Sequence, residues 1–172
     1  ITELADSGLV IEAIAEDLAA KQLLFRDLEA LVSPACLFAT NTASLSVTAI
    51  AAALQSPERL AGLHFFNPAP RMPLVEVISG LATDARLAET LCATALAWGK
   101  TPVMARSTPG FIVNRIARPY YGEALRLLTE GAADAATLDA IFREAGGFRM
   151  GPFELMDLIG LDVNLAASKS VW

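Results

Sequence analysis

The chain has 172 residues, a formal net charge of −6, and apolar residues at 54% of positions, enough for one large or two small domains with their own cores. The acid excess comes without any Lys/Arg cluster, which argues against a nucleic-acid partner. No apolar run reaches the roughly 18–20 residues needed to span a bilayer, so no membrane partner is expected.

The chain opens Ile1-Thr2-Glu3-Leu4-Ala5-Asp6, without the basic stretch and cleavage site of a signal peptide. It also opens without Met, and it reads as starting inside a longer protein. Leu9-Val10-Ile11-Glu12-Ala13-Ile14 predicts a buried strand. Glu16 and Asp17 then open a helical pattern carried by Leu18, Leu23, Leu24, Leu28 and Leu31 and stopped by Pro34. Read locally, Glu16 suits the positive end of that helix. Lys21 suits an i,i+4 partnership with Asp17 on a solvated face. Leu37 to Thr40 is a second short strand, and Asn41-Thr42-Ala43-Ser44 a polar turn at its end. A short helix is expected from about Val47 to Leu54, before Pro57.

Leu60-Ala61-Gly62-Leu63 leads into His64, the single histidine of the sequence. Two phenylalanines, a Pro-rich turn and a second apolar run, Leu74-Val75-Glu76-Val77-Ile78, follow. This predicts two short buried strands joined by a turn, with His64 at the end of one and Glu76 inside the other. A lone His among aromatics is commonly a satisfied core residue. A carboxylate in an apolar strand is costly unless it is paired or functional. Together the two make a base whose tautomer is fixed and whose protonated form is stabilised.

Asp84 to Trp98 reads as an amphipathic helix, with Thr83 as N-cap and Gly99 just past its end. Pro102 to Met104 is a last short strand. Thr108-Pro109-Gly110 looks like a helix start, with Thr108 as cap, and Phe111 to Glu130 like one long helix, which Pro119 should kink unless it sits where a turn is relaxed. Further helices are expected at Asp134 to Ala145, Pro152 to Ile159 and Val163 to Trp172. The alternation up to Arg106 predicts an α/β layer structure resembling the latter half of a doubly wound, Rossmann-type domain. An all-helical part follows, with the boundary near 106/107, giving domains at residues 1–106 and 107–172. No GxGxxG stands in the chain, so the phosphate-cradling turn of such folds is missing from these residues. Cys36 and Cys92 lie apart, with no CxxC pattern or His neighbour; a metal site is not expected, and two free thiols suit a reducing cytoplasm.

His64-Phe65-Phe66-Asn67-Pro68 followed by Leu74-Val75-Glu76-Val77-Ile78 resembles the signature of the L-3-hydroxyacyl-CoA dehydrogenases. The likeness extends to residues 10–16, Asn41-Thr42, Thr108 through Arg115 and Met150 through Leu155. Gly147-Phe148-Arg149-Met150-Gly151-Pro152 and residues 159–164 look most like the phenylacetate-degradation branch. The resemblance implies NAD as cofactor, an acyl-CoA thioester as substrate and a homodimer formed through the helical part. It implies His64 as catalytic base, Glu76 as its carboxylate partner and Asn114 as donor to the substrate's carbonyl oxygen. It places Glu16, Lys21 and Asn67 at the cofactor. Read locally, Asn114 equally suits a bond to nearby backbone at the start of a helix.

The family pattern has Ser directly after Asn-Thr, where this chain has Ala43, with Ser44 one step further on. Ser44, Thr42 or a water replaces that hydroxyl, or activity is lower. That departure supports a second reading, a non-catalytic structural or binding relative of the same fold. A third reading is a dehydrogenase of β-hydroxy acids, but those usually rely on a lysine base, without a His–Glu pair. Without the Gly-rich turn, residues 1–172 alone are expected to bind NAD poorly.

Overall fold

The computed structural model describes residues 2–171. Contacts divide the chain into two compact units, Ile1–Phe111 and Ile112–Trp172.

The first unit is a five-stranded sheet in the order β1-β2-β3-β4-β5, with helices on both faces. Strands β1 (Leu9–Glu12), β2 (Leu37–Thr40) and β3 (Leu60–Phe65) run parallel. Strand β4 (Leu74–Ser79) is antiparallel to β3, and β5 (Thr101–Arg106) is parallel to β4. Alternate residues of the central strands feed two cores, because successive side chains of a strand point to opposite faces. Phe38, Leu60 and Ile78 pack with Phe25 and Leu28 of α1 (Leu18–Leu31) and with Val47 and Ile50 of α2 (Val47–Ala51). Ala39, Ala61, Leu63, Val75 and Val77 pack with Leu87 and Leu91 of α3 (Ala85–Ala97). Both faces are covered, which is why these strands read as near-continuous apolar runs.

Local chemistry sets the element ends. Strand β1 stops two residues short of the expected Ile14, where the Ile14 N–H turns back to the Glu12 carboxylate at 2.6 Å. Helix α1 starts one residue after its cap, Asp17, which accepts from the Ala20 N–H at 2.8 Å. The helix expected to reach Leu54 ends at Ala51. The next N–H groups, of Ala53 and Leu54, make tighter i→i−3 bonds, and the Glu29 carboxylate takes those of Gln55 and Ser56. For α3 the cap is Asp84, not Thr83. The Thr83 hydroxyl is otherwise engaged, accepting from the Gly80 N–H and donating to the Leu60 carbonyl of β3. Gly99 closes α3 as expected: at φ 73° it lets its own N–H reach the Leu96 carbonyl and that of Lys100 reach Ala95.

The second unit is helical: α4 (Val113–Thr129), α5 (Ala135–Glu144), α6 (Pro152–Ile159) and α7 (Leu161–Val171). Helix α4 begins at Val113 rather than Phe111. Gly110 and Phe111 both have positive φ, 71° and 48°, which no right-handed helix accommodates, so the Thr108-Pro109-Gly110 stretch is a turn and not a cap. Pro119 lies inside α4, which continues through it. Buried Asp139 on α5 receives the Phe153 and Glu154 N–H groups and so caps α6. Only glycine fits at 151, where a Cβ would lie 2.4 Å from the Asp139 Cα. Helix α7 starts two residues earlier than the expected Val163. Trp172, its expected last residue, lies outside the described residues.

Candidate active site

Strand register makes the central pair. In the antiparallel β3–β4 ladder His64 stands directly opposite Glu76. Directly opposed residues share a face with Cβ atoms about 4.5–5.5 Å apart. Here the His64 Nδ1 lies 2.8 Å from Glu76 Oε2. Glu76 is fully buried and His64 6% exposed. Phe66 and Phe111 flank the imidazole, with ring centroids at 4.5 and 6.0 Å. A carboxylate holding Nδ1–H in an apolar surround fixes the neutral tautomer and presents the Nε2 lone pair as a base.

A second cluster forms at the carboxyl ends of β1 and β2, the edge where open α/β sheets bind their ligands. Glu16, just before α1, reaches across to the turn after β2. Its Oε1 accepts from the Thr42 hydroxyl at 2.6 Å, the Ala43 N–H at 2.9 Å, and both the N–H and the hydroxyl of Ser44 at 3.0 Å. Burial pushes the Glu16 carboxyl up, but the Thr42 and Ser44 hydroxyls, the nearby Lys21 charge and the Ser44 N–H outweigh it and hold it below its ordinary value. Glu16 therefore stays ionised and partly exposed. It is a clamp on the 42–44 turn, not a first-turn helix residue.

Lys21 differs from the solvated residue that local spacing suggests. It is 1% exposed. Its Nζ lies 2.6 Å from Glu12, 3.3 Å from the Ile14 carbonyl and 3.4 Å from Glu16. Three acceptors surround an ammonium with three protons. Glu12 in turn accepts from the Thr40 hydroxyl at 2.6 Å, and the Thr40 hydroxyl accepts from the Thr42 N–H. Neither Glu12 nor Thr40 is among the residues that the resemblance places at the site. The signal was present: Glu12, like Glu76, is a carboxylate in an apolar strand and needs a partner once buried.

Asn67 follows β3, is exposed, and precedes Pro68 through a cis peptide bond. Asn41 accepts from the Phe65 N–H at 2.8 Å, tying the turn after β2 to the end of β3 next to His64. Asn114 lies in the first turn of α4, in the helical unit.

Residues 1–108 match the family described as 3-hydroxyacyl-CoA dehydrogenase, NAD binding domain, and residues 110–172 match its C-terminal domain. The chain belongs to the 3-hydroxyacyl-CoA dehydrogenase family. It is 58% identical over 172 residues to 3-hydroxyadipyl-CoA dehydrogenase of Escherichia coli K12, covering 100% of this chain and 36% of that protein. It is 47% identical over 156 residues to the human mitochondrial hydroxyacyl-coenzyme A dehydrogenase, covering 91% and 50%. Among solved structures, 3-hydroxybutyryl-CoA dehydrogenase from E. coli K12 matches with a TM-score of 0.96 at 58% identity, over 99% of this chain and 36% of that one. The (S)-3-hydroxybutyryl-CoA dehydrogenase of Ralstonia eutropha matches with a TM-score of 0.96 at 36% identity, over 99% and 60%. The chain thus spans between about a third and a half of the length of these two curated relatives.

Family membership sharpens the question raised by Ala43. The two hydroxyls beside it, of Thr42 and Ser44, are both committed to Glu16. Neither can donate its proton elsewhere without giving up that bond. No helix among the described residues is long and apolar enough to cross a membrane.

Proposed function

We propose that the protein is an NAD-dependent 3-hydroxyacyl-CoA dehydrogenase, oxidising a (3S)-hydroxyacyl thioester of CoA to the 3-oxoacyl thioester. The observation that carries this reading is the buried 2.8 Å contact between His64 Nδ1 and Glu76. With Nδ1–H held by the carboxylate, Nε2 accepts the proton of the substrate's 3-hydroxyl, and Glu76 stabilises the resulting imidazolium. In the reverse direction the same imidazolium protonates the developing alkoxide. NAD, when bound, supplies the acceptor for the hydride that leaves C3.

The residues present suit that cofactor. Glu16 is an ionised, partly exposed carboxylate at the carboxyl edge of the sheet, able to accept hydrogen bonds from ribose hydroxyls. Asn67 offers an exposed amide after β3. Lys21, given its burial, serves the site from behind, by fixing Glu16 and the Ile14 carbonyl. We assign Asn114 to the substrate's carbonyl oxygen, where a side-chain amide stabilises developing negative charge. The E. coli relative named for 3-hydroxyadipyl-CoA points to acyl chains that end in a carboxylate as part of the substrate range. Exposed Leu158, Leu161, Val163 and Leu165 on α6 and α7 favour self-association through the helical part, which light scattering at micromolar concentration would detect.

The test is the full-length protein with acetoacetyl-CoA and NADH, followed by nicotinamide absorbance. Sustained oxidation of NADH is expected. NADH binding without turnover would instead support the non-catalytic reading, for which the observation is Ala43 in place of the family's Ser.

A further inference from the structure

Resting on the dehydrogenase reading above, we propose that a pocket within the helical unit receives the distal end of the acyl chain, and that Arg149 selects chains ending in a carboxylate. The pocket is a cavity of about 570 Å³. That lies within the range of roughly 300–1,000 Å³ typical of small-molecule sites. Val113, Ala117 and Tyr121 of α4 line it, with Phe148 and Met150 from the loop before α6. The one charged side chain in its lining is Arg149, which forms no salt bridge with any described residue.

Two other cations of the helical unit are committed. Arg118 is buried, donating to the carbonyls of Asn114 and Asn164 and to the Ser168 hydroxyl. Arg143 is paired with Glu154. An apolar cavity with one uncommitted guanidinium suits a ligand that is hydrocarbon along its length and anionic at its tip. A guanidinium matches a carboxylate with two parallel hydrogen bonds.

The loop that carries Arg149 is held in place. The Tyr120 hydroxyl donates to the Met150 carbonyl at 2.6 Å. The Phe148 ring packs against Tyr120 and Phe142, with centroids at 5.0 and 5.9 Å. Gly147 has φ 71°, and a Cβ on Gly146 would meet the Phe142 carbonyl oxygen at 2.6 Å. The pocket also adjoins Asn114, assigned above to the substrate's carbonyl oxygen. Asn114 lies one residue from Val113 and three from Ala117, and Cβ atoms three or four apart on a helix are about 5–6 Å from each other. A chain whose 3-oxygen is held at Asn114 therefore has the pocket beside it.

The experiment compares two thioesters of equal carbon number, 3-hydroxyadipyl-CoA and 3-hydroxyhexanoyl-CoA, with the unaltered full-length protein and its Arg149→Gln and Arg149→Lys forms. Arg149→Gln is expected to lower kcat/KM for the adipyl thioester by about 10- to 100-fold, the scale of a lost charged hydrogen bond, through KM more than kcat. The hexanoyl thioester should change less than threefold, and Arg149→Lys should retain part of the adipyl preference. If Arg149→Gln changes neither substrate, or both alike, the carboxylate subsite is refuted while the dehydrogenase reading stands. If the unaltered protein turns over neither thioester, the dehydrogenase reading falls, and this one with it.

Discussion

Replacing Glu76 by Gln tests the proposed base without changing its shape. The substitution is isosteric, at a fully buried position. Two losses follow from the 2.8 Å contact with Nδ1. The first is the charge-assisted hydrogen bond to the imidazolium, worth about 1.5–3 kcal/mol. At about 1.4 kcal/mol per decade, that is roughly 10- to 150-fold in rate. The second is tautomer control. A carboxylate only accepts, so it demands the proton on Nδ1 and keeps Nε2 as the base. A carboxamide can offer N–H to Nδ1, which moves the proton to Nε2 and removes the base. In serine-protease triads the same exchange of carboxylate for amide costs about 10⁴-fold. We therefore expect kcat for 3-hydroxyacyl-CoA oxidation by the full-length protein to fall by about 10²–10⁴-fold. The circular dichroism spectrum should be unchanged. Turnover within threefold of the unaltered protein, in a folded Glu76→Gln form, would refute the pairing as the source of catalysis.

Ala43→Ser should raise kcat, by up to about tenfold, by supplying a hydroxyl that Thr42 and Ser44 cannot without releasing Glu16; an unchanged rate would show that no hydroxyl is needed there. Glu12→Ala should destabilise the protein by about 3 kcal/mol or more in urea denaturation, because it leaves the Lys21 ammonium buried without its nearest carboxylate. Changing the pair together, Glu12→Leu with Lys21→Met, should recover most of that loss. The Glu16 carboxyl is held below its ordinary value of 4.5, so the stability it contributes is complete above about that pH and is lost as pH falls through its lowered value. Glu16→Gln should accordingly flatten the fall in melting temperature over that acidic window; an unaltered slope would count against the clamp on the 42–44 turn.

The apolar runs that become β2, β3 and β4, the His64 and Glu76 runs among them, were legible in the sequence because a strand buried on both faces has little choice of composition. The end of α3 was legible too, because a positive-φ C′ position selects Gly99. A carboxylate in an apolar run announces that it needs a partner, and the run before that of Glu76 ends on the single histidine of the sequence. Three side chains whose roles stayed hidden share one physical cause: partners that lie beyond their own turn of the chain. Lys21 looked like the i,i+4 neighbour of Asp17, yet its carboxylate is Glu12, nine residues back, brought under it by the turn from β1 into α1. Glu16 looked like a helix-dipole residue, yet it accepts from groups 26 to 28 residues later. Thr83 looked like a cap and instead ties its loop to Leu60 of β3. Each local reading was energetically sound, at a few tenths of a kcal/mol for an exposed pair or a dipole contact. The tertiary alternative won because a buried ion pair or a clustered carboxylate leaves no polar group unsatisfied, and in a low-dielectric interior that outweighs any local preference. The parallel β1–β2 register, with Glu12 set beside Thr40, decides which groups can meet there, and it exists only once the chain has folded.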